Sequence, residues 1–472
     1  MSRFLAVLMV LAALTGCADA ARHKISRPLL APPPDPQTVF GRATLTGTGD
    51  PAVLNAGFPV PDRPLTLEEC LLIAKEVNPD LDSADQARMG ALWNRWQSIT
   101  AFLPTGSTSY SINENKGRAP GSHPLSYSGG NPQYSWGVGV RQPLFAGGGN
   151  LARLLLAQLG VADADIGRVQ ARENLNLEVK QVYFGILALE KALEVARTTV
   201  VNLRSHLNVA QNFYEVGMSP KNQVLEAEVT LARAVQQAND RDRDVMVTKA
   251  RLNILLRRPV DAPVAVADAL GHNAFPLSLY ECLDISLADR PELKLGRTAV
   301  EASARNVDAA RSGLYPKMDL TYTNRTGGST PRANNEGSTW DVAAVASFNF
   351  WEWGRTGAEI EKSKVDLNRS VNTLTSLEDE TKLEVTNNFQ SLISAGLNIE
   401  VMAKAVGSAA EDLRMVKERY LEQVATNTEV LDAQTRYSQA QYDYYTALYD
   451  YNLAWATLER WLGRPVQPLP AI

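Results

Sequence analysis

From Leu151 to Tyr214 the chain runs for 64 residues without a proline. Apolar residues return along it at helical spacing, first Leu151, Leu154, Leu155 and Leu159, then Leu175, Val179, Val182, Tyr183, Ile186 and Leu187. As a continuous helix rising about 1.5 Å per residue, the stretch is a rod on the order of 100 Å long. No compact domain contains such a rod. Its apolar stripe calls for other rods to pack on, while Asp, Glu, Arg and Gln fill the remaining positions.

The rod belongs to a unit written twice. Glu69-Cys70-Leu71 matches Glu281-Cys282-Leu283, and Pro79-Asp80-Leu81 matches Pro291-Glu292-Leu293, at a separation of 212 positions. Tyr214 then matches Tyr420, Leu225-Glu226-Ala227 matches Leu431-Asp432-Ala433, and Arg258-Pro259-Val260 matches Arg464-Pro465-Val466, at a separation of 206. The register changes once, between Ile112 and Tyr134, which marks a surface loop. The domain plan that follows is a first repeat over 65–260, a linker over 261–278, a second repeat over 279–466 and a short tail over 467–472.

Each copy reads helix, strand, strand, long helix, helix. Thr108, Tyr110 and Ile112 alternate with serines, and Tyr134, Trp136, Val138 and Val140 alternate with Ser135, Gly137, Gly139 and Arg141. The second copy repeats this with Met318, Leu320 and Tyr322, then with a strand expected from Trp340 to Phe350. Such alternation predicts one apolar and one polar face. The fold class is therefore α+β. Two hairpins cannot sit in lipid with open edges, because each unpaired backbone group there costs several kcal/mol. Four strands are too few for a barrel with a lumen, but three chains supply twelve, so a trimeric 12-stranded transmembrane β-barrel is the simplest closure. The rods would continue it as a long α-helical coiled-coil barrel.

Glycines at the strand-to-helix corner (Gly147-Gly148-Gly149) lack the Gly-Lys-Ser/Thr ending of a phosphate loop and read as a sharp bend. Each rod reverses at a short turn, Val216-Gly217-Met218-Ser219-Pro220 in the first copy and Gln423-Val424-Ala425-Thr426-Asn427 in the second, before a returning helix of some 35 residues.

Composition narrows the function. Lys+Arg 47 against Asp+Glu 52 leaves a net charge of −5, so no basic excess grips nucleic acid. The 3 Cys and 4 His are scattered, without metal-ligand spacing, and no nucleophile-base-acid constellation or cofactor site is legible, so the chain reads as no enzyme. Cys70 and Cys282 lie within apolar helical runs and read as core residues, with a disulfide between them left open.

The start is an address. Arg3, the apolar run Phe4 to Leu14 and Leu14-Thr15-Gly16-Cys17 resemble a bacterial lipoprotein signal, which implies a signal peptide over 1–16, lipidation at Cys17 and, with Ala18 following, sorting to the outer-membrane lipid. Residues 17–64, rich in Ala, Pro and Gly, read as a lipidated tether.

The lipobox, the double repeat, strand pairs entering long helices, and Arg419-Tyr420 followed by Glu429-Val430-Leu431-Asp432-Ala433-Gln434 resemble the TolC family of outer-membrane efflux channels, in its lipoprotein branch. The resemblance implies a homotrimer crossing the outer membrane and extending through the periplasm, a periplasmic adaptor at the helical tips, and an inner-membrane pump. Substrate efflux through such a duct is the expectation. A one-step (type I) protein secretion channel and a lipid-anchored periplasmic coiled-coil scaffold are the alternatives. The resemblance further implies a periplasmic gate at Glu429 and Asp432, with Glu226 the one acid kept at the first tip, where Gln223 stands opposite Glu429. In a trimer these carboxylates would favour cations and raise one another's pKa. A plain solvated helix face is the alternative. The turn residues Val216, Gly217, Met218 and Ser219, with Gln423, Val424, Ala425 and Thr426, are the implied adaptor contacts.

Overall fold

The computed structural model describes residues 63–113, 133–328 and 337–466. The signal peptide, Cys17, nearly all of the tether, the two strand-connecting loops and the tail 467–472 lie outside the described residues. The first half holds α1 (Leu67–Val77), α2 (Pro79–Thr100), β1 (Thr105–Asn113), β2 (Gln133–Ala146), α3 (Gly149–Glu215) and α4 (Lys221–Leu255). The second holds α5 (Leu279–Asp289), α6 (Pro291–Arg311), β3 (Lys317–Gly328), β4 (Ser338–Ser347), α7 (Arg355–Leu421) and α8 (Asn427–Leu462), with a single 3₁₀ turn at Ser312–Leu314. Both rods, α3 and α7, are 67 residues long.

The helix expected at the start of each half is two helices. Pro79 and Pro291 supply no amide hydrogen to the preceding turn, so α1 and α5 stop there and the proline becomes the first residue of the next helix. Asn78 closes one helix and opens the other, its Oδ1 accepting from the Asp80 amide at 2.8 Å. Thr66 with Glu69, and Ser278 with Glu281, cap α1 and α5 through reciprocal side-chain bonds.

The four strands form one antiparallel meander, β1-β2-β3-β4, in which β2 and β3 join the two halves. Register sets the faces. Tyr110 lies opposite Trp136, Val138 opposite Asn324, Val140 opposite Tyr322, and Tyr322 opposite Val342, so the predicted apolar rows fall on one side of the sheet. The other side carries Ser111 against Ser135, Thr323 against Asp341, and an Arg141–Asp319 ion pair at 2.6 Å. The last strand is shorter than expected, ending at Ser347 rather than Phe350. Lys317 pairs with Ser347, and the residue before it, Pro316, has no N–H to continue the ladder. Phe348, Phe350, Trp351 and Trp353 follow as exposed aromatics, with Trp351 and Trp353 in edge contact.

Two cores lie where the rods meet the shorter helices. Cys70, Val179, Ile186, Leu252 and Leu256 fill one; Cys282, Val385, Leu392, Leu458 and Leu462 fill the other. Both cysteines are buried and free, and burial pushes their thiols up, to about 12 for Cys70 and about 11 for Cys282, which makes them inert packing residues. The tyrosine-rich face of α8 is packing too, with Tyr444, Tyr445, Tyr451 and Trp455 against the second core and Tyr449 against the first.

The linker is more than a connection. Leu65 pairs with Val266 as a short parallel bridge, the Tyr183 hydroxyl reaches the carbonyls of Leu65 and Ala267, and Phe275 packs between Phe389 and Trp455. Nearby, Arg290 is buried with bonds to Thr381, Glu384 and Glu292 and stacks 4.0 Å over Trp461, while Glu292 also takes Arg460 at 2.6 Å. Burial alone would raise Glu292, but the Arg460 hydrogen bond, a backbone hydrogen bond at Glu292 and the charges of Arg460 and Arg290 together outweigh it and hold the carboxyl below its usual range.

At the corner that turns β2 into α3, Gly147 has φ +63° and Gly148 φ +86°. A Cβ on Gly147 would run into the Ser312 carbonyl oxygen, whereas one on Gly148 meets open space. Gly147→Ala is expected to lower the thermal midpoint of the detergent-extracted protein, followed by circular dichroism, clearly more than Gly148→Ala, whose left-handed backbone alone costs about 1 kcal/mol. Equal losses would mean that the Ser312 approach does not constrain the corner.

Candidate functional site: the paired helical tips

The two turns share one hydrogen-bond pattern. Met218 and Ser219 donate to the Phe213 carbonyl at 2.8 and 3.2 Å, and Val424 and Ala425 donate to the Arg419 carbonyl at 2.8 and 3.2 Å. The left-handed residue is Gly217 (φ +75°) in one and Gln423 (φ +60°) in the other. Asn427, expected within the second turn, is the first residue of α8, because Thr426 caps that helix.

The turns differ in what they expose. Val216 (67% exposed), Met218 (57%) and Val424 (65%) point outward, and Gly217, Gln423 and Thr426 are exposed beside them. Ser219 is half-buried. Ala425 is turned inward, packed with Tyr420, Val430 and Ala433 against Val209 and Phe213 of α3.

Each expected gate acid has a definite setting. Glu429 turns back on its own turn: its Oε1 accepts from the Thr426 amide at 3.2 Å and hydroxyl at 3.0 Å, and the Glu429 amide donates to the Thr426 hydroxyl at 3.2 Å. Arg419 stands 3.9 Å away. The Thr426 backbone donor, with smaller help from the hydroxyl and Arg419, holds the Glu429 carboxyl below its usual range. Within the single chain this is opposite in sign to the upward shift that a ring of carboxylates implies. Asp432 is exposed, one turn further along α8.

Glu226 is engaged across the halves. From α4 it accepts from Asn427 Nδ2 at 2.9 Å and the Thr428 hydroxyl at 3.2 Å. Asn427, 1% exposed, also donates to the Gln223 carbonyl at 3.3 Å and is bonded through Oδ1 to His206 Nε2 at 2.8 Å. His206 on α3 is buried and sits beside Tyr420 of α7, ring centroids 5.0 Å apart. Three helices thus meet at one polar chain, with α7 packed beside it through the Tyr420 ring. Sequence reasoning took Glu226 but missed His206 and Asn427. The available signal was that His206 interrupts an apolar row, Leu203, Ala210 and Phe213, at helical spacing on the rod.

Two stretches of the chain, 72–256 and 282–464, match the family described as Outer membrane efflux protein. The chain is 26% identical over 420 residues to the Alkaline protease secretion protein AprF of Pseudomonas aeruginosa, covering 83% of each. It is 22% identical to the Outer membrane efflux protein BepC of Brucella suis, covering 71% of each. The outer membrane protein VceC of Vibrio cholerae has the same fold, with TM-score 0.72 at 17% identity, covering 84% of this chain and 96% of that one.

Replacing Glu226 by Ala leaves the buried Asn427 Nδ2 with only its longer bond to the Gln223 carbonyl, a loss of about 1 kcal/mol. Amide hydrogen exchange over 427–431 should accelerate several-fold in Glu226→Ala and less in Glu226→Gln, which keeps an acceptor oxygen. Unchanged exchange in both variants would mean that Glu226 does not hold the start of α8.

Proposed function

The chain belongs to the outer membrane efflux protein family, and from that premise we propose that it acts as a passive homotrimeric exit duct. Its relatives are channel proteins, and it is itself an outer-membrane efflux channel that extends into the periplasm. In our reading the inner-membrane pump supplies the transport energy, a periplasmic adaptor docks on the tips, and this chain supplies the path and the gate.

The observation that carries the proposal is the pair of open sheet edges. Among the described residues β1 and β4 each have one unpaired side, and the sheet has an apolar face that suits lipid and a polar face that suits water. Three copies would bring twelve strands into a closed ring. The helical layer supports the same closure: α4 and α7 are its outermost members, and both expose apolar side chains, Met246 and Val247 on one and Leu397 and Val401 on the other. No helix among the described residues is long and apolar enough to cross a membrane, which leaves the strands as the spanning elements of this reading.

The further parts of the proposal rest on sequence and local geometry. Two tandem structural repeats, 65–260 and 279–466 with a linker at 261–278, are supported by the equal rods and by left-handed residues recurring 206 positions apart, Gly147 with Trp353 and Gly217 with Gln423. Signal peptide 1–16, lipidation at Cys17, a tether to 64 and a tail from 467 rest on the sequence motif and composition. Exposed Trp340, Phe350, Trp351 and Trp353 suit an interfacial girdle. Val216, Met218 and Val424 are the apolar points we assign to the adaptor, with Gly217, Ser219, Gln423 and Thr426 framing them. Glu429 and Asp432 are the acids we assign to the gate, with Glu226 holding the neighbouring hairpin. A second reading, export of protein, is favoured by one observation: the secretion protein AprF aligns over most of both chains.

Planar-bilayer recordings of the extracted protein are expected to give cation-selective pores. The double variant Glu429→Gln, Asp432→Asn, which keeps an acceptor at the Thr426 cap, should lose most of that selectivity without losing its pores. Unchanged selectivity would contradict the acidic gate, and folded protein without pores would contradict the duct.

A further inference from the structure

The duct and its acids leave unexplained why a histidine is buried at the tip of a rod that otherwise fills this row with apolar residues. His206 is 8% exposed and shares one bond, to Asn427 Oδ1. Asn427 passes the connection to Glu226, and Glu226 to Thr428. Asn427 ties the start of α8 to both helices of the first hairpin at once, because its Oδ1 answers α3 and its Nδ2 answers α4.

We propose that His206, acting through Asn427, is a proton-responsive clasp that holds the second hairpin against the first at the periplasmic tip and loosens when the surroundings become acidic. It is a positioning residue for the gate, and this inference rests on the reading of the tips as a gate. Neutral and charged imidazole both donate from Nε2, so the bond to Asn427 survives protonation. What protonation adds is a positive charge in a buried site. The groups that face the ring are Lys417 and Tyr420 on α7, Asn427 on α8 and, beyond it, Glu226 on α4. Glu429 is turned away to Thr426 and Arg419. The charge that acts on the ring, Lys417, is of like sign, and Glu226, the carboxylate of this hydrogen-bonded series, is already engaged by Asn427 and Thr428.

Burial, with Lys417 adding to it against the Asn427 bond, holds the His206 pKa below its ordinary 6.5. An unclasped histidine therefore binds a proton more readily than a clasped one. The clasp is fully present above about pH 6.5 and weakens as pH falls from there to the lowered value, by up to about tenfold in equilibrium constant for each pH unit crossed.

The test is hydrogen–deuterium exchange of the full detergent-extracted protein at pH 7.5 and 5.5, corrected for intrinsic chemical rates, read over 427–435. In the wild type, exchange should be several-fold faster at pH 5.5 than the correction accounts for. His206→Gln, which donates to Asn427 but does not titrate, should exchange alike at both pH values. Lys417→Gln removes the like charge and should move the acid midpoint upward toward 6.5, a shift that a purely structural role would not produce, and it keeps the test available if His206→Gln does not fold. Exchange independent of pH in the wild type, or acid-accelerated exchange that persists in His206→Gln, overturns the clasp. Because exchange is read without any current, a failed clasp is distinguishable from a failed duct, which shows in the bilayer recordings.

Discussion

Backbone hydrogen bonding at the edges of a four-stranded sheet sets the terms for the rest of this molecule. Among the described residues β1 and β4 each present a row of N–H and C=O groups with no strand beside it, and the apolar face between them carries Tyr110, Trp136, Val138, Tyr322 and Trp340. In water that face is a liability; in lipid the open edges are. Closure with other copies answers both demands. Such closure would also require that whatever follows the strands leave the sheet in a fixed direction, and the two strand-to-helix corners have defined backbone geometry. Gly147 allows the backbone to pass against Ser312, and 206 residues later Trp353 adopts the same left-handed turn at φ +52°.

From those corners the rods carry position over a long distance. Two helices of equal length, joined side by side through α8, deliver both turns to the same end. Charge networks around Arg290 and Glu459 grip the middle of the assembly. Glu459 takes Lys180 from the first rod, and its Oε1 accepts from Trp455 and from the Val466 amide after α8. Buried pairs of this kind add little net stability, but removing one partner is costly, so they fix one arrangement of helices in preference to others.

The fold was legible where a physical period repeats. Helical spacing over Leu151–Tyr214 gave the rod, and strict alternation in β1, β2 and β3 gave faces that the register bears out. Boundaries set by a single backbone group were less legible. The end of β4 at Ser347 depends on Pro316 across the ladder, and the start of α8 depends on whether Thr426 or a later residue caps it. At the tips, sequence named the acids but not their bonding. Glu429 looks free as a string of letters, yet three residues after a threonine it closes a cap, and Glu226 meets Asn427 from 201 positions away. Non-local pairs of that sort carry no sequence period, and His206 showed only as a polar interruption in an apolar row.

The central claim, that open edges are closed by copies of the same chain, is tested most directly by the mass of the detergent-extracted protein in native mass spectrometry. The account predicts a complex of three chains that persists on dilution. A monodisperse single chain with its full helix content would leave β1 and β4 unpaired and would contradict it.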